Sequence, residues 1–486
     1  MDKEVQSGRM WQIVSACILV LVSVFCMVRF SPEKIPVDGL RELSVNHWYV
    51  DAKHTYAPQI EGKEVEDWHS ALLMYEGRAV RHVAAFVTGE PCSGQTVLLL
   101  IWGACGMVIC YGAIYLQNRL LRNGRCYAWM LVPLSATLYL INCTGVCLDY
   151  YFIGATVAGM LVLSALFSTD KLWQKWLYVA LLCVVLLHMA EYRKNSAFAL
   201  VVMVYAAMMA LRLLRGRRWW RLLVAIILAF VLYCVATHAV SWVLPVQKTL
   251  PTLPMMESDM RSAAVLENRV AEEQAEWEKL GWRYGDCWQR VPKVKDDYTA
   301  DRIGAFFRAA GGLDAEDYGA FRAYYLHSWT SRFQEMFIAR MLTVLHFYWG
   351  SPVEWLRPHV ENFYPHLKSN PCWMDGYTRV GLHPMVRMVR VPLLLLSACS
   401  LSVYLFRRWR RYSILSPSAH IVALLNAIGV SYAVSYLVVT PSTDLRYLQM
   451  SMAFAFLSSA LIAMDCIYAC FICPGVAGKA RNSSRQ

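Results

Sequence analysis

Residues 96–116 read TVLLLIWGACGMVICYGAIYL, twenty-one consecutive positions without a charged side chain. At about 1.5 Å of rise per residue, such a run is roughly 30 Å long, the thickness of a bilayer's hydrocarbon core. Comparable apolar runs recur at 10–28, 127–147, 150–167, 173–190, 196–211, 222–244, 391–406, 420–439 and 447–472. The expected fold is therefore all-α: a polytopic transmembrane bundle of about ten spans, with a mostly helical loop domain on its outer face. Three regions follow, 1–244 with about seven spans, 245–390 as the loop domain and 391–486 with about three spans and a basic tail.

Composition agrees. The chain is 57% hydrophobic and 17% charged, against about 25% charged in ordinary soluble domains. Its mean hydropathy is +0.35. A net charge of +12 would suit nucleic acid, but the cations gather in short clusters beside the apolar runs, so no nucleic-acid partner is expected. From an inside N-terminus, alternate spans put Arg119/Arg122/Arg125, Arg212/Arg215/Arg217/Arg218/Arg221, Arg407/Arg408/Arg410/Arg411 and Lys479/Arg481/Arg485 on one side. The long segments 29–95 and 245–390 fall on the other. This is the positive-inside pattern of a bacterial cytoplasmic membrane protein with both termini cytoplasmic. Segment 336–349 is apolar but holds Arg340 and His346. One extra crossing there would invert the 407–411 cluster, so it reads as an interfacial or re-entrant helix.

The outer segments carry the polar chemistry. Segment 31–67 is acidic, with Asp38, Asp51, Glu61, Glu64, Glu66 and Asp67. Positions 68, 72, 75, 79, 83 and 86 then set an apolar stripe at helical spacing, with Glu76, Arg78, Arg81 and His82 on the remaining face. Such a helix lies in the headgroup plane. In the second loop, helices are expected over 257–280 and from 314 toward 349. Cys287 and Cys372 fall on the oxidising side and either pair or stay free. Neither GxGxxG nor a P-loop occurs, so nucleotide-phosphate chemistry of the soluble kind has no support.

Four polar constellations stand at the outer ends of spans. Asp51 and the run Glu66-Asp67-Trp68-His69 offer carboxylates that can act as general base toward a hydroxyl or hold a divalent cation. For each alone, a solvated acidic loop is the plainer reading. Asp149 sits in the tiny connection before 150, as a helix cap or a site residue. Arg193-Lys194-Asn195 puts two cations on the side where anchoring disfavours them, an arrangement suited to a phosphate, unless Glu191 or lipid headgroups neutralise them. Asp444-Leu445-Arg446-Tyr447 opens the last span with a further outer cation.

These elements, in this order, resemble the polytopic GT-C class of glycosyltransferases, which use polyprenyl-phosphate sugars. The matching stretches are Asp67-Trp68-His69-Ser70, Leu148-Asp149-Tyr150-Tyr151-Phe152, Arg193-Lys194-Asn195-Ser196 and Asp444-Leu445-Arg446-Tyr447. Ser70 stands where the family pattern has Pro, Leu148 where it has Lys, and Lys194 interrupts the Arg/Asn element. The resemblance covers roughly 10–211 and the last two spans, and leaves 245–390 unexplained. It implies inverting sugar transfer from a polyprenyl-phosphate donor to a glycan, lipid or protein acceptor. Asp51 or Asp67 would be the catalytic base. His69, Asp149, Arg193, Lys194, Asn195, Arg446 and Tyr447 would bind substrate. A lipid-linked glycan transporter, a glycan ligase or polymerase, and an assembly scaffold are the competing readings.

Overall fold

The computed structural model describes residues 2–29, 56–66, 70–121, 125–142, 148–193, 195–214, 216–247, 253–279, 315–349, 356–369, 393–403, 419–439 and 449–467. Among them the architecture is helical, with no named strand and one isolated bridge, Glu66 with Gln247. The chain divides into two compact units, Met1–Gln247 with Pro392–Ser435 and Arg446–Gln486, and Lys248–Val391 with Tyr436–Leu445.

The first unit contains α1 (Asp2–Arg29), the short α2 (Ala57–Glu61), α3 (Ala71–Thr88), α4 (Gly94–Leu121) and α5 (Leu131–Asn142). It continues with α6 (Leu148–Ser168), α7 (Leu172–Tyr192), α8 (Ala197–Ala210) and α9 (Arg218–Val243). The second unit holds α10 (Leu253–Glu267), α11 (Val270–Lys279), α12 (Ala315–Ser331), α13 (Phe333–Trp349) and α14 (Arg357–Phe363). The first unit resumes with α15 (Leu393–Val403), α16 (Ala419–Val439), whose residues from Tyr436 onward are grouped with the second unit, and α17 (Gln449–Ile467).

Five helical segments are long and apolar enough to cross a membrane: Arg9–Val28, Gly94–Leu121, Tyr150–Ser168, Leu172–Tyr192 and Arg218–Val243. Ala128–Asn142, Ala197–Ala210, Leu393–Val403, Ala423–Tyr436 and Met450–Met464 are apolar but shorter. Helix α5 is short because residues Arg125–Met130 form a 3-10 turn ahead of it, placing Pro133 in the first α-helical turn, where its missing N–H costs no bond. The bundle exposes apolar side chains on its outside, among them Leu21, Phe25, Ile227 and Phe230. Exposed tryptophans mark helix ends: Trp173 and Trp176 begin α7, Trp219 and Trp220 begin α9, and Trp242 closes it.

Inside, glycines permit close crossings. A Cβ on Gly112 would lie 2.5 Å from Val157, where α4 meets α6. Helices α15, α16 and α17 are joined by a buried polar contact, in which the Asn426 amide oxygen accepts from Ser397 and, at 2.5 Å, from Ser458. Such hydrogen bonds hold apolar helices together where burial of oil against oil cannot.

The second unit is built differently. Leu266, Ala339, Leu342 and Leu367 form a small core between α10, α13 and the turn after α14. Around it lie buried ion pairs. Arg332 spans Glu267 at 2.7 Å and Glu273 at 2.5 Å, and Glu273 also accepts from the Trp277 indole at 2.9 Å. Arg340 faces Asp259 at 3.4 Å, and the Tyr325 hydroxyl donates to the same carboxylate at 2.9 Å. Burial pushes Asp259 up from its ordinary value, against the pull of Arg340 and Tyr325. Burial opposes the charge on Arg332, but Glu273 and Glu267 outweigh it and hold that guanidinium firmly ionised.

One expectation changes here. The single helix expected over 257–280 is two, α10 and α11, broken at Asn268, whose φ of 59° is left-handed. Asparagine tolerates that region, and the Asn268 and Arg269 N–H groups close back on Val265 and Ala264. Segment 336–349 lies within α13, whose Met336, Ala339, Leu342 and Val344 are buried and whose Arg340 is bound by Asp259.

Candidate functional site

Helix α3 begins at a cap: Ser70 Oγ accepts from the Leu73 N–H at 3.2 Å. It ends at Gly89 in left-handed conformation, φ 81°. Its buried side is not the apolar stripe. Leu73, Met74 and Gly77 face inward, and a Cβ on Gly77 would come within 2.7 Å of Ile60. The stripe points outward, with Val83 and Phe86 exposed, Phe86 by 91%. The arginines of the remaining face are already engaged with backbone. Arg78 donates to the Gln59 and Lys63 carbonyls, and Arg81 to those of Cys92 and Glu61. They fasten α2 and its flanking loop to α3.

Glu76 is turned toward α7. One carboxylate oxygen lies 2.5 Å from His188 Nε2, and the other accepts from the Tyr192 hydroxyl at 2.9 Å. His188 and Tyr192 are four residues apart and share a helix face. His188 Nδ1 lies 2.7 Å from the Val184 carbonyl, which can only accept. That contact occupies Nδ1 and leaves Nε2 to face Glu76. Both side chains are a little over one quarter exposed, 28% and 29%, and so remain reachable.

Of the quoted motif stretches, Ser70, residues 148–152, Arg193, Asn195 and Ser196 are among the described residues. Of the run starting at Leu148, Tyr150, Tyr151 and Phe152 are buried. Tyr150 donates to Asn142 at 3.2 Å; Tyr151 donates to the Leu98 carbonyl, and its ring centroid is 6.2 Å from that of Tyr192. Phe152 stacks on Tyr432 of α16 at 4.8 Å. Asp149 is the second residue of α6. Arg193 closes α7 in an extended conformation, and its carbonyl accepts from the Ser196 N–H at 2.9 Å, a tight reversal into α8. Asn195 donates to Ser435 of α16 at 3.4 Å. Thr156 lies 3.8 Å from the Met450 sulfur at the start of α17. Thus the beginnings of α6, α8 and α17 meet the ends of α7 and α16.

Asp51, Asp67, His69, Lys194, Arg446 and Tyr447 lie outside the described residues, as do Cys287 and Cys372. Among the described residues no three His, Cys, Asp or Glu side chains gather as a metal site. Glu76, His188 and Tyr192 were not singled out by motif. The signal was there: a histidine inside the apolar run 173–190 is an ionisable group where such groups are costly and usually functional.

Chemically, this end brings together a carboxylate–imidazole contact, the Tyr151 and Tyr192 rings and the Arg193 turn. No family model, curated protein or solved structure matches the chain.

Proposed function

We propose that this chain crosses a bacterial cytoplasmic membrane ten times, with both termini inside, and transfers a sugar from a polyprenyl-phosphate donor to an acceptor on the outer face. The membrane reading is supported by five long and five shorter apolar helices that coincide with the ten apolar runs. Their lipid-ready outsides and end-placed tryptophans support it further. The observation that carries the transfer reading is convergence. Stretches 148–152 and 193–196 and the start of the last helix, far apart in sequence, meet at one end of the bundle.

In this reading Arg193 and Lys194, with Arg446 from the closing motif, grip the donor phosphate, Arg193 by paired N–H donors. Asn195 and Tyr447 shape the same pocket, and Asp149 and His69 contact the sugar or acceptor. Asp51 or Asp67 takes the proton of the acceptor hydroxyl as it attacks the anomeric carbon. The carbon–oxygen bond to the lipid phosphate breaks with inversion, and the cations stabilise the departing phosphate, the largest usual contribution to such catalysis. A divalent cation on the loop carboxylates would serve the same end. The transporter alternative calls for a continuous polar path. The described cavity between α4, α5, α6 and α17, about 80 Å³, is instead lined by apolar groups such as Ile109, Leu138, Met160 and Leu457.

The test is turnover of labelled polyprenyl-phosphate sugars, offered as a panel to the purified protein in vesicles with its envelope acceptors. Arg193→Ala, and whichever of Asp51→Asn and Asp67→Asn removes the base, should lower turnover about 10²–10³-fold. Wild-type rates in all three variants would sink the assignment.

A further inference from the structure

Within the first unit, the cavity between α4, α5, α6, α16 and α17 has a cation at one end. Its wall on α4 includes Ile109, Gly112, Ala113 and Leu116, positions that share one face of the helix. Arg119 continues that face and lies in the last turn of α4. It is also tied to the wall, because Tyr115, which lines the cavity, accepts from Arg119 Nη1 at 3.1 Å. Among the described residues Arg119 makes no ion pair. Its other guanidinium N–H groups remain to be donated, and the Tyr115 hydroxyl keeps its own proton to give.

Three observations select what enters. The far walls are buried aliphatic side chains, Leu134 and Leu138 of α5, Leu425 of α16 and Leu457 of α17. A cavity lined in this way excludes water and accepts hydrocarbon. Its volume is about 80 Å³, room for a short stretch of chain, about five to eight groups at roughly 10–15 Å³ each. The polar group at its end is a cation, and basic pockets between apolar helices at the cytoplasmic side hold lipid headgroups. The cavity also stands apart from the end where the motif stretches meet. Its wall on α6 starts at Val157, nine residues past Leu148, where α6 begins, and so about 14 Å along the axis. The donor phosphate of the proposed transfer belongs at that other end, so Arg119 calls for a headgroup of its own.

We propose that the cavity holds an acyl chain of a phospholipid from the cytoplasmic leaflet, with the lipid phosphate gripped by Arg119 and Tyr115. The site rests on the membrane reading and is independent of sugar transfer. The experiment uses the full chain in phosphatidylethanolamine vesicles doped with phosphatidylglycerol that carries a diazirine in its acyl chain. Irradiation should label Leu138 and Leu457, 2% and 6% exposed, which a lipid outside the bundle does not reach. It should also label Ile227 on the outside of α9, which such a lipid does reach. Arg119→Gln should lower the label at Leu138 and Leu457 about fivefold, the worth of one cation beside an anionic headgroup. Ala113→Phe, which fills the cavity, should abolish it, and neither variant should change the label at Ile227. A diacylglycerol with the same photoreactive chain but no phosphate should label the cavity as weakly as phosphatidylglycerol labels it in Arg119→Gln. Label confined to Ile227, or cavity label that survives Arg119→Gln unchanged, would overturn the proposal. Displacement by unlabelled polyprenyl phosphate but not by unlabelled phosphatidylglycerol would overturn it in favour of the donor's tail. No label at Ile227 would instead refute the membrane reading beneath it.

Discussion

Glu76 is a case in which a residue's meaning depends on what its helix buries. By periodicity it belongs to the polar face of an interfacial helix, beside Arg78 and Arg81. The two arginines are spent on backbone carbonyls, while Glu76 reaches a histidine 112 positions later in the chain. No local pattern encodes that partnership, which is why the acidic loop, not Glu76, drew the catalytic expectation. Arg193 stands out in the sequence because a cation on the outer side departs from the charge pattern of the other arginine clusters. Because Glu76 and His188 are in direct contact, their contributions to stability must be coupled. Glu76→Gln and His188→Asn should each lower stability by about 1–2 kcal/mol, reduced from a buried pair's value by their partial exposure. The double variant should cost less than the sum of the two by about 1 kcal/mol. Thermal unfolding of the four proteins in one detergent measures this, and strict additivity would show that the contact contributes no coupling energy.

At the scale of elements, the apolar runs located the helices and missed what punctuates them. Asn268 splits one expected helix, and a 3-10 turn shortens the run at 127–147. Both depend on local backbone choices too weak to override a hydrophobic pattern on paper. Ser70 shows the reverse. It departs from the resemblance by replacing Pro, yet it makes good physical sense as the cap of α3. The junction of α2 with α4 is equally specific. Glu61 accepts from the Gly94 N–H at 2.7 Å, and a Cβ at Gly94 would meet the Ala57 carbonyl oxygen at 2.4 Å and its Cα at 2.8 Å. These are backbone atoms, which cannot swing aside. Gly94→Ala should therefore undock α2 from the start of α4 and cost about 1–3 kcal/mol. Amide hydrogen exchange would show the effect as faster exchange confined to residues 57–66 and the first turn of α4. Unchanged protection there would mean that the contact is looser than its geometry.

At the scale of the whole molecule, the direction of the chain across a membrane rests on one pattern, the alternation of arginine clusters along the sequence, since exposed tryptophans sit at both ends of α9. The arrangement at the cationic end is consistent with an anchor. Arg212 and Leu214 take left-handed conformations in the turn before α9, and Arg221 donates to the Leu213 and Leu214 carbonyls at 3.0 Å each. The remaining question of parity falls on α13. It is 17 residues long and carries Glu335 and a bound Arg340, so it should not cross. Reporter fusions decide the matter. Alkaline phosphatase, which needs an oxidising compartment for its disulfides, should be active when joined after Lys279 and silent after Gly216 or Arg411. A fluorescent protein that folds only in the cytoplasm should give the opposite set. Phosphatase activity after Arg411 would mean an even number of crossings between 280 and 411, one more than the single span expected there, and would move the last arginine cluster and the chain's end to the outer face.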